Sequence, residues 1–448
     1  MSAFSEYLSD YTAGKTVCIL GFGREGRSTY AKLVQYCSPA SMTICDLNPV
    51  DREKNGLPES VRIITGEGYQ SCLDDFDIVF KSPGIVLDKS PSQLRCEVTS
   101  ETQIFFTVYR EQIIGITGTK GKSTVTSLIY HILSHSGLDA HIAGNIGIPV
   151  FEIADAMKPD SIVVCELSCH QLEYMTVSPA TAVFLNLYEE HLDHYGTMEN
   201  YYNAKKNIYL HQNPNDTLII NSTIKPDNIA PRIVTVSNSD SSADIFIANG
   251  TVKGLPDGDY AIPTDRIKLL GVHNHYNIGI AYEVCRRYVT GTQFTEGLCS
   301  FSPLAHRLEF IGVFRDIRWY DDSISTACAT ACEAVKSVPD CGTILIGGMD
   351  RGIDYAPLVD FLSGADVQVI CMETSGKRVY DMLVSGGNSA RFHYVPHLAE
   401  AVSLAAEITP SGKSCVLSPA AASYGIFKNF EERGDAFKAL VKGLDANA

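Results

Sequence analysis

At 448 residues the chain exceeds what one hydrophobic core organises, and it divides into about two to four domains of roughly 100–200 residues each. Hydrophobic residues at 45% and charged residues at 20% exclude extensive disorder, and a formal net charge of -16 disfavours nonspecific attachment to nucleic acid or anionic membranes, which are polyanions. No run approaches the ~20 apolar residues needed to cross a bilayer, and the opening MSAFSEYLSDYTAG lacks the basic-then-apolar order of a secretion signal.

Thr16 to Leu20 reads as a short buried strand, GFGREG (Gly21 to Gly26) as a turn into a helix running toward Cys37, and Met42 to Cys45 as a second strand ending at Asp46. Glycines at 21, 23 and 26, with an acid 20 positions after Gly26, make a dinucleotide-type fingerprint. Taken alone it suggests a nicotinamide enzyme. The same loop can hold the diphosphate of any nucleotide, with Asp46 hydrogen-bonding a sugar or base, and a turn that merely packs helix on strand is the plain alternative. A third strand, Asp77 to Phe80, ends in Lys81-Ser82-Pro83-Gly84. Ligands gather in the crevice at strand ends, so Ser82 and Gly84 are expected to line the same pocket.

The sheet pattern restarts at Ile113. An apolar β-branched run to Thr117 enters Gly118-Thr119-Lys120-Gly121, and Lys122, Ser123 and Thr124 open a helix expected to reach Ser136. This is a phosphate cradle: the glycines let backbone N–H groups turn toward an anion, the helix N-terminus adds a positive dipole end, and Lys122 can reach the outer phosphates. Ser123 or Thr124 is placed to hold Mg²⁺. The position five before Gly121 is Ile116, where the ordinary Walker pattern has glycine.

Gly144-Asn145-Ile146-Gly147 follows, then the strand Ser161 to Cys165 ending in Glu166. An acid at a strand end beside a phosphate loop can hold Mg²⁺ directly or through water. Thr181 to Asn186 leads into YEEHLDHYG (Tyr188 to Gly196), where His191, Asp193 and His194 lack the second cluster that a zinc centre requires. On composition, Lys205 and Lys206 in the helix near Glu199 to Leu210 read as solvated. After a strand at Thr217 to Ile220 and a polar stretch around 236–260, Asn274 and Asn277 stand three apart. Either they share a helical face and read an adenine edge, or they start a helix.

The third section starts near Ser302. Arg307 falls in its boundary loop, where it could meet phosphates, and WYDDS (Trp319 to Ser323) puts adjacent acids at a strand end. Strands at Thr343 to Ile346, Val367 to Cys371 and Ser414 to Leu417 alternate with helices at 328–337, 376–384 and 397–407, which makes a third α/β layer. The turns at 347–352 and 418–423 belong to its ligand-gathering face. The 14 cysteines form no Cys-x-x-Cys pair, and Cys18, Cys45, Cys165, Cys371 and Cys415 sit in apolar strands, so buried reduced thiols of a cytoplasmic protein are expected.

The expected fold is α/β with three domains, each a mainly parallel sheet with helices: a Rossmann-like domain at 1–108, a central P-loop ATPase-like domain at 109–302 and a Rossmann-like C-terminal domain at 303–448.

With these motifs in place the whole chain resembles the Mur ligases. The resemblance rests on GTKGKST at 118–124, Gly144-Asn145-Ile146-Gly147, Glu166-Leu167-Ser168, Asn186 through His191-Leu192-Asp193, Ala204-Lys205, His273-Asn274 with Asn277, His306-Arg307, Asp322-Ser323, and LSPAAASYGIFKNFEERGDAF at 417–437. The last run resembles the glutamate-adding branch. The Asp-Asn-Pro-Arg string usual in the diaminopimelate- and lysine-adding branch is absent.

The resemblance implies an ATP-dependent ligase joining D-glutamate to UDP-N-acetylmuramoyl-L-alanine through an acyl phosphate, in cytoplasmic peptidoglycan precursor synthesis, with no nucleic acid or membrane partner and no need for more than a monomer. It implies ATP binding by Gly118, Thr119, Lys120, Gly121, Lys122, Ser123, Thr124, Asn274, Asn277, Arg307 and Asp322. Two Mg²⁺ ions would be held by Ser123 or Thr124 with Glu166, and by His191 with Lys205. Lys205 resembles the family lysine that takes up CO₂ as a carbamate, an oxygen-donor anion suited to Mg²⁺ where a bare ammonium would repel it. The uridine substrate would meet Gly21, Phe22, Gly23, Arg24, Asp46, Ser82, Gly84, Asn145, Ser168 and His191. D-Glutamate would meet Thr326, Arg351, Ser423 and the backbone of Phe430.

Two positions depart from the family pattern. Ile324 and Arg351 each stand where a lysine is usual, though arginine can grip a carboxylate in a two-pronged way. Rival readings are another amino-acid ligase of the same family and, motivated by Ile324, a nucleotide-binding sensor without catalysis.

Overall fold

The structure is a computed structural model that describes residues 2–227, 231–385 and 390–445. Its strands build three mostly parallel sheets flanked by helices. The first comprises β1 (Thr16–Leu20), β2 (Ser41–Asp46), β3 (Arg62–Thr65), β4 (Ile78–Lys81) and β5 (Glu97–Thr99), ordered β3-β2-β1-β4-β5 and wholly parallel. Chain order reverses at β1, so the turn after it opens at the switch point of the sheet, where ligands bind in such folds. Val17, Ile19 and Ile78 are fully buried, as strands covered on both faces require.

The second sheet comprises β6 (Ile113–Thr117), β7 (Ala140–Gly144), β8 (Ile162–Glu166), β9 (Thr181–Phe184), β10 (Thr217–Asn221), β11 (Arg232–Ser237), β12 (Ile245–Ala248), β13 (Thr251–Lys253) and β14 (Tyr260–Ala261). Its order is β14-β13-β12-β11-β10-β9-β6-β8-β7, so β6 is an interior strand with β8 and β9 on either side. The phosphate loop therefore lies between the ends of the strands that carry Glu166 and Asn186. The polar stretch around 236–260 contains β12, parallel to β11, and the antiparallel edge strands β13 and β14, with Ile247 and Val252 buried. The helix expected to run to Leu210 spans Met198–Lys206.

The third sheet comprises β15 (Glu309–Phe314), β16 (Ile317–Asp321), β17 (Cys341–Ile346), β18 (Gln368–Met372), β19 (Phe392–Val395) and β20 (Ser414–Leu417), ordered β15-β16-β20-β17-β18-β19 with β15 antiparallel. Apolar clusters cover both faces, one around Ile344, Leu358 and Val369 and the other around Trp319, Leu345 and Phe437. A helix at Ala356–Gly364 joins those expected from sequence.

The chain forms two compact units, 1–263 with 276–298, and 264–275 with 299–448. The first contains the first two sheets and the second contains the third. Among the described residues no helix is long and apolar enough to cross a membrane. All 14 cysteines are free, and the five named from apolar runs are buried.

Candidate functional site

In the first unit, β6 delivers the chain into Gly118–Gly121, and a helix at Lys122–His135 follows. Gly121 has φ of 86° and Gly118 of 153°, which side chains resist, so glycine is required at both turns. Asn186, at the end of the neighbouring β9, clamps this loop. Its Oδ1 accepts from Thr119 N at 3.1 Å and Lys120 N at 2.8 Å, while its Nδ2 donates to Lys120 O at 2.9 Å. Lys120 Nζ pairs with Glu190 at 2.8 Å. A Cβ on Gly121 would stand 3.0 Å from Asn277 Oδ1, which sets that asparagine beside the loop.

Two lysines converge on the loop. Lys122 Nζ donates to the carbonyls of Gly118 and Thr119, both at 3.0 Å. Lys205 Nζ donates to the Gly118 carbonyl at 2.9 Å and lies over the Tyr201 ring, 4.9 Å from its centre. Lys205 is 1% exposed, which corrects its reading as a solvated helix residue. The helix carrying it turns that face inward. Burial first, and then the charge of Lys122, push Lys205 down to about 7, and burial also lowers Lys122.

Glu166, at the end of β8, is buried. Its Oε1 accepts from Asn145 Nδ2 at 2.7 Å, whereas Oε2 has no hydrogen-bond partner among the described residues. An orphaned carboxylate oxygen in a buried site fits a cation-binding role, and a carboxylate suits Mg²⁺. A lysine neutral near pH 7 fits the chemistry of CO₂ uptake. His191 begins the short helix Leu192–Tyr195 with φ of 57° and an exposed ring, 5.2 Å from the ring of His170. Ser168 caps the turn that follows β8, accepting from Gln171 N at 3.2 Å. Burial and the neighbouring His194 and His191 push His170 down to about 4.

At the first sheet a cleft of about 730 Å³ is lined by Gly21, Gly23, Arg24, Asp46, Ser82 and Gly84 among others. Phe22 N donates to Asp46 Oδ2 at 2.7 Å, and Ser82 Oγ to Gly21 O at 2.7 Å. These bonds tie three strand-end loops into one rim. A Cβ on Gly26 would stand 2.0 Å from Gly21 O, so the helix can approach the strand only with glycine there. Arg24 donates to the carbonyls of Gly147 at 3.1 Å and Asn145 at 3.3 Å, joining this rim to the turn after β7.

In the second unit, Thr326, Arg351 and Ser423 stand in the loops after β16, β17 and β20, which are neighbours in the sheet, and Phe430 starts the helix Phe430–Lys442. Thr326 and Arg351 are exposed, while Ser423 is buried. Arg433, which sequence reasoning missed, is fully buried beneath these loops. Its Nε donates to Ser323 Oγ at 3.0 Å and one terminal nitrogen donates to the carbonyls of Ser323 at 2.8 Å and Ala421 at 3.1 Å. Its only hint in the sequence is its place inside the 417–437 run. Ser323 Oγ in turn donates to Phe430 O at 2.8 Å.

Asp322 accepts from Leu308 N at 3.2 Å and Ser418 Oγ at 2.8 Å, and burial raises it to about 6. Arg307 is partly buried in the adjoining loop. Asn274 and Asn277 both lie in the helix His273–Cys285, yet the first belongs to the second compact unit and the second to the first. Asn274 Nδ2 donates to Leu270 O at 2.6 Å, a helix-start contact.

Comparison with known proteins follows the same lines. Residues 116–285 match the Mur ligase middle domain. The chain is 31% identical to the UDP-N-acetylmuramoylalanine–D-glutamate ligase of Symbiobacterium thermophilum, over 90% of this chain and 93% of that protein. It is 30% identical to the protein of the same name from Clostridium botulinum, over 99% of this chain and 100% of that one. The solved UDP-N-acetylmuramate–alanine ligase MurC of Thermotoga maritima shares the fold, with a TM-score of 0.61 at 17% identity, over 97% of this chain and 100% of that one. By near-full-length identity to these relatives, the chain belongs to the Mur ligase family, among the UDP-N-acetylmuramoylalanine–D-glutamate ligases.

Proposed function

We propose that the protein is an ATP-dependent ligase that joins D-glutamate to UDP-N-acetylmuramoyl-L-alanine in cytoplasmic peptidoglycan precursor synthesis. The observation that carries this reading is the buried Lys205, held with Lys122 against one carbonyl of the phosphate loop, in a chain whose relatives bear that ligase's name.

A carboxylate is a poor electrophile for an amine because its leaving group would be oxide. Phosphoryl transfer from ATP makes an acyl phosphate, the amine of D-glutamate attacks the acyl carbon, and phosphate leaves. The protein's work is positioning and charge neutralisation. The amides of 118–121 and Lys122 would cradle the outer phosphates, with Asn274 and Asn277 at adenine, Arg307 at phosphate and Asp322 at ribose. Asp46, Ser82, Gly84 and the 21–24 turn would bind the uridine diphosphate, and Asn145 and Ser168 the muramoyl-alanine end. Arg351 would grip a D-glutamate carboxylate, with Thr326, Ser423 and Phe430 around it.

Ser123 or Thr124 with Glu166, and His191 with Lys205 as its carbamate, would hold Mg²⁺. Bound there, Mg²⁺ would neutralise charge on the phosphates. Domains at 1–108, 109–302 and 303–448 would bind uridine nucleotide, ATP and amino acid respectively, within a monomer.

Phosphate release by the purified protein tests the proposal, with ATP, Mg²⁺ and UDP-N-acetylmuramoyl-L-alanine, comparing D-glutamate with L-glutamate, L-alanine and diaminopimelate. Release should depend on D-glutamate. Equal rates with every amino acid, or none with D-glutamate, would overturn it.

A further inference from the structure

We propose that Cys169, His170 and His191 form a binding site for a thiophilic divalent transition metal of the zinc class, and that filling it inhibits the enzyme by drawing His191 away from the magnesium role given above. The inhibitory half rests on that functional reading, and the metal site itself does not.

The sequence sets Asp193 and His194 close to His191 and offers no second cluster at metal spacing. The fold supplies two further partners, because the turn after β8 and the loop after β9 flank the phosphate loop on either side. One ligand atom from each of Cys169, His170 and His191 lies within 4.8 Å of the others. Tetrahedral zinc, with bonds of roughly 2.0–2.3 Å, spaces its ligands about 3.3–3.6 Å apart, so closure asks the widest pair to move by about 1 Å. The half-buried ring of His170 and the exposed ring of His191 have room to supply it. Cys169 is 2% exposed and provides the fixed corner.

The surroundings favour a metal over simple packing. The ring of His194 lies 4.5 Å from that of His170, which brings a third imidazole to the cluster. The Tyr195 hydroxyl lies 3.3 Å from His170 Nδ1, the kind of outer partner that orients a ligating histidine. His191 is held by its own short helix, its carbonyl accepting from His194 N at 3.1 Å and Tyr195 N at 3.0 Å. The donor set separates the metals: Mg²⁺ demands oxygen, whereas thiolate and imidazole select zinc-class ions. Binding converts the Cys169 thiol to thiolate, releases its proton to solvent and leaves the imidazoles neutral, with no change of oxidation state.

Cobalt(II) titration of the full chain tests the site by spectroscopy. The wild-type protein should show tetrahedral visible bands and a near-ultraviolet thiolate-to-cobalt band, both displaced by one equivalent of Zn²⁺. Cys169→Ser should remove the ultraviolet band, and His170→Phe should weaken affinity by about 10-fold or more. Circular dichroism of each variant checks that it folds. Absence of the thiolate band, or a band of equal strength in Cys169→Ser, overturns the site.

For the inhibitory half, micromolar Zn²⁺ in excess Mg²⁺ should suppress D-glutamate-dependent phosphate release by the wild type, and His170→Phe should need about 10-fold more Zn²⁺ for the same effect. Cobalt bands as expected with unaltered turnover would overturn inhibition and keep the site. Failure of the ligase reading would show as no turnover in zinc-free controls that contain Mg²⁺, which the cobalt spectra do not depend on.

Discussion

Lys205 donates to the Gly118 carbonyl across 2.9 Å, and Lys122 reaches the same oxygen at 3.0 Å, so two lysines share one buried acceptor. Two full positive charges in that space repel. Lys205, the deeper of the two, is held down to about 7 by burial first and by Lys122 next. Near neutral pH a large share of its amine is therefore unprotonated, the form that can take up CO₂.

Lys205→Ala should lose most ligase activity and regain part of it with added acetate, whose carboxylate can enter the vacated space. Phosphate release with and without acetate measures this. Full activity in the variant would reject a required carbamate.

The same lysine should shape stability against pH. An unfolded lysine titrates near about 10.4, and the folded site near 7. Between those values the unfolded chain holds a proton that the folded chain has given up, so this group's contribution to stability is full above about 10 and is lost as pH falls toward 7. Lys205→Met should remove that slope, a difference of about a few kcal/mol across the window. Urea midpoints of both proteins at pH 7 and pH 10, in CO₂-free buffer, give the comparison, and parallel curves would contradict it.

Asn186→Ala takes the side-chain acceptor from the amide of Lys120, while Thr119 N keeps its bond to the backbone carbonyl of residue 186. The expected result is a KM for ATP raised about tenfold, with stability lower by about 1–3 kcal/mol. An unchanged KM for ATP would mean that the loop keeps its shape without the clamp.

Arg351→Ala should raise the KM for D-glutamate far more than that for ATP, because a guanidinium can hold a carboxylate by two parallel hydrogen bonds. Steady-state kinetics with each substrate varied in turn separate the two. A defect confined to ATP would move Arg351 out of the amino-acid pocket.

Arg433→Met leaves Ser323 and Ala421 without their buried donor. Stability should fall by about 3 kcal/mol or more, measured by urea unfolding. The KM for D-glutamate should also rise, since the loops after β16 and β20 lose their common anchor. A variant as stable as the wild type would show that these loops hold themselves.

Some features were legible because they are local. Gly118 and Gly121 mark a turn whose backbone only glycine adopts easily, and Gly21, Gly23 and Gly26 mark another. The alternation of apolar runs with helical periods identified three mainly parallel sheets before their strand order was known, because buried parallel strands must be apolar on both faces. The weakly hydrophobic strands β12 to β14 escaped notice for the complementary reason: strands at the edge of a sheet need to bury only one side.

By itself the sequence determined the α/β class, the phosphate loop, the dinucleotide-type glycine fingerprint and, through resemblance, the family. Tertiary structure alone decided that Lys205 is buried against Gly118, that Asn186 clamps the loop, that Glu166 keeps one oxygen unpartnered, that Arg433 lies beneath the C-terminal loops and that Cys169 and His170 meet His191. The physical reason is range. A turn or a strand follows from neighbouring residues, whereas burial and the shifts it imposes on ionisable groups depend on what distant strands bring alongside.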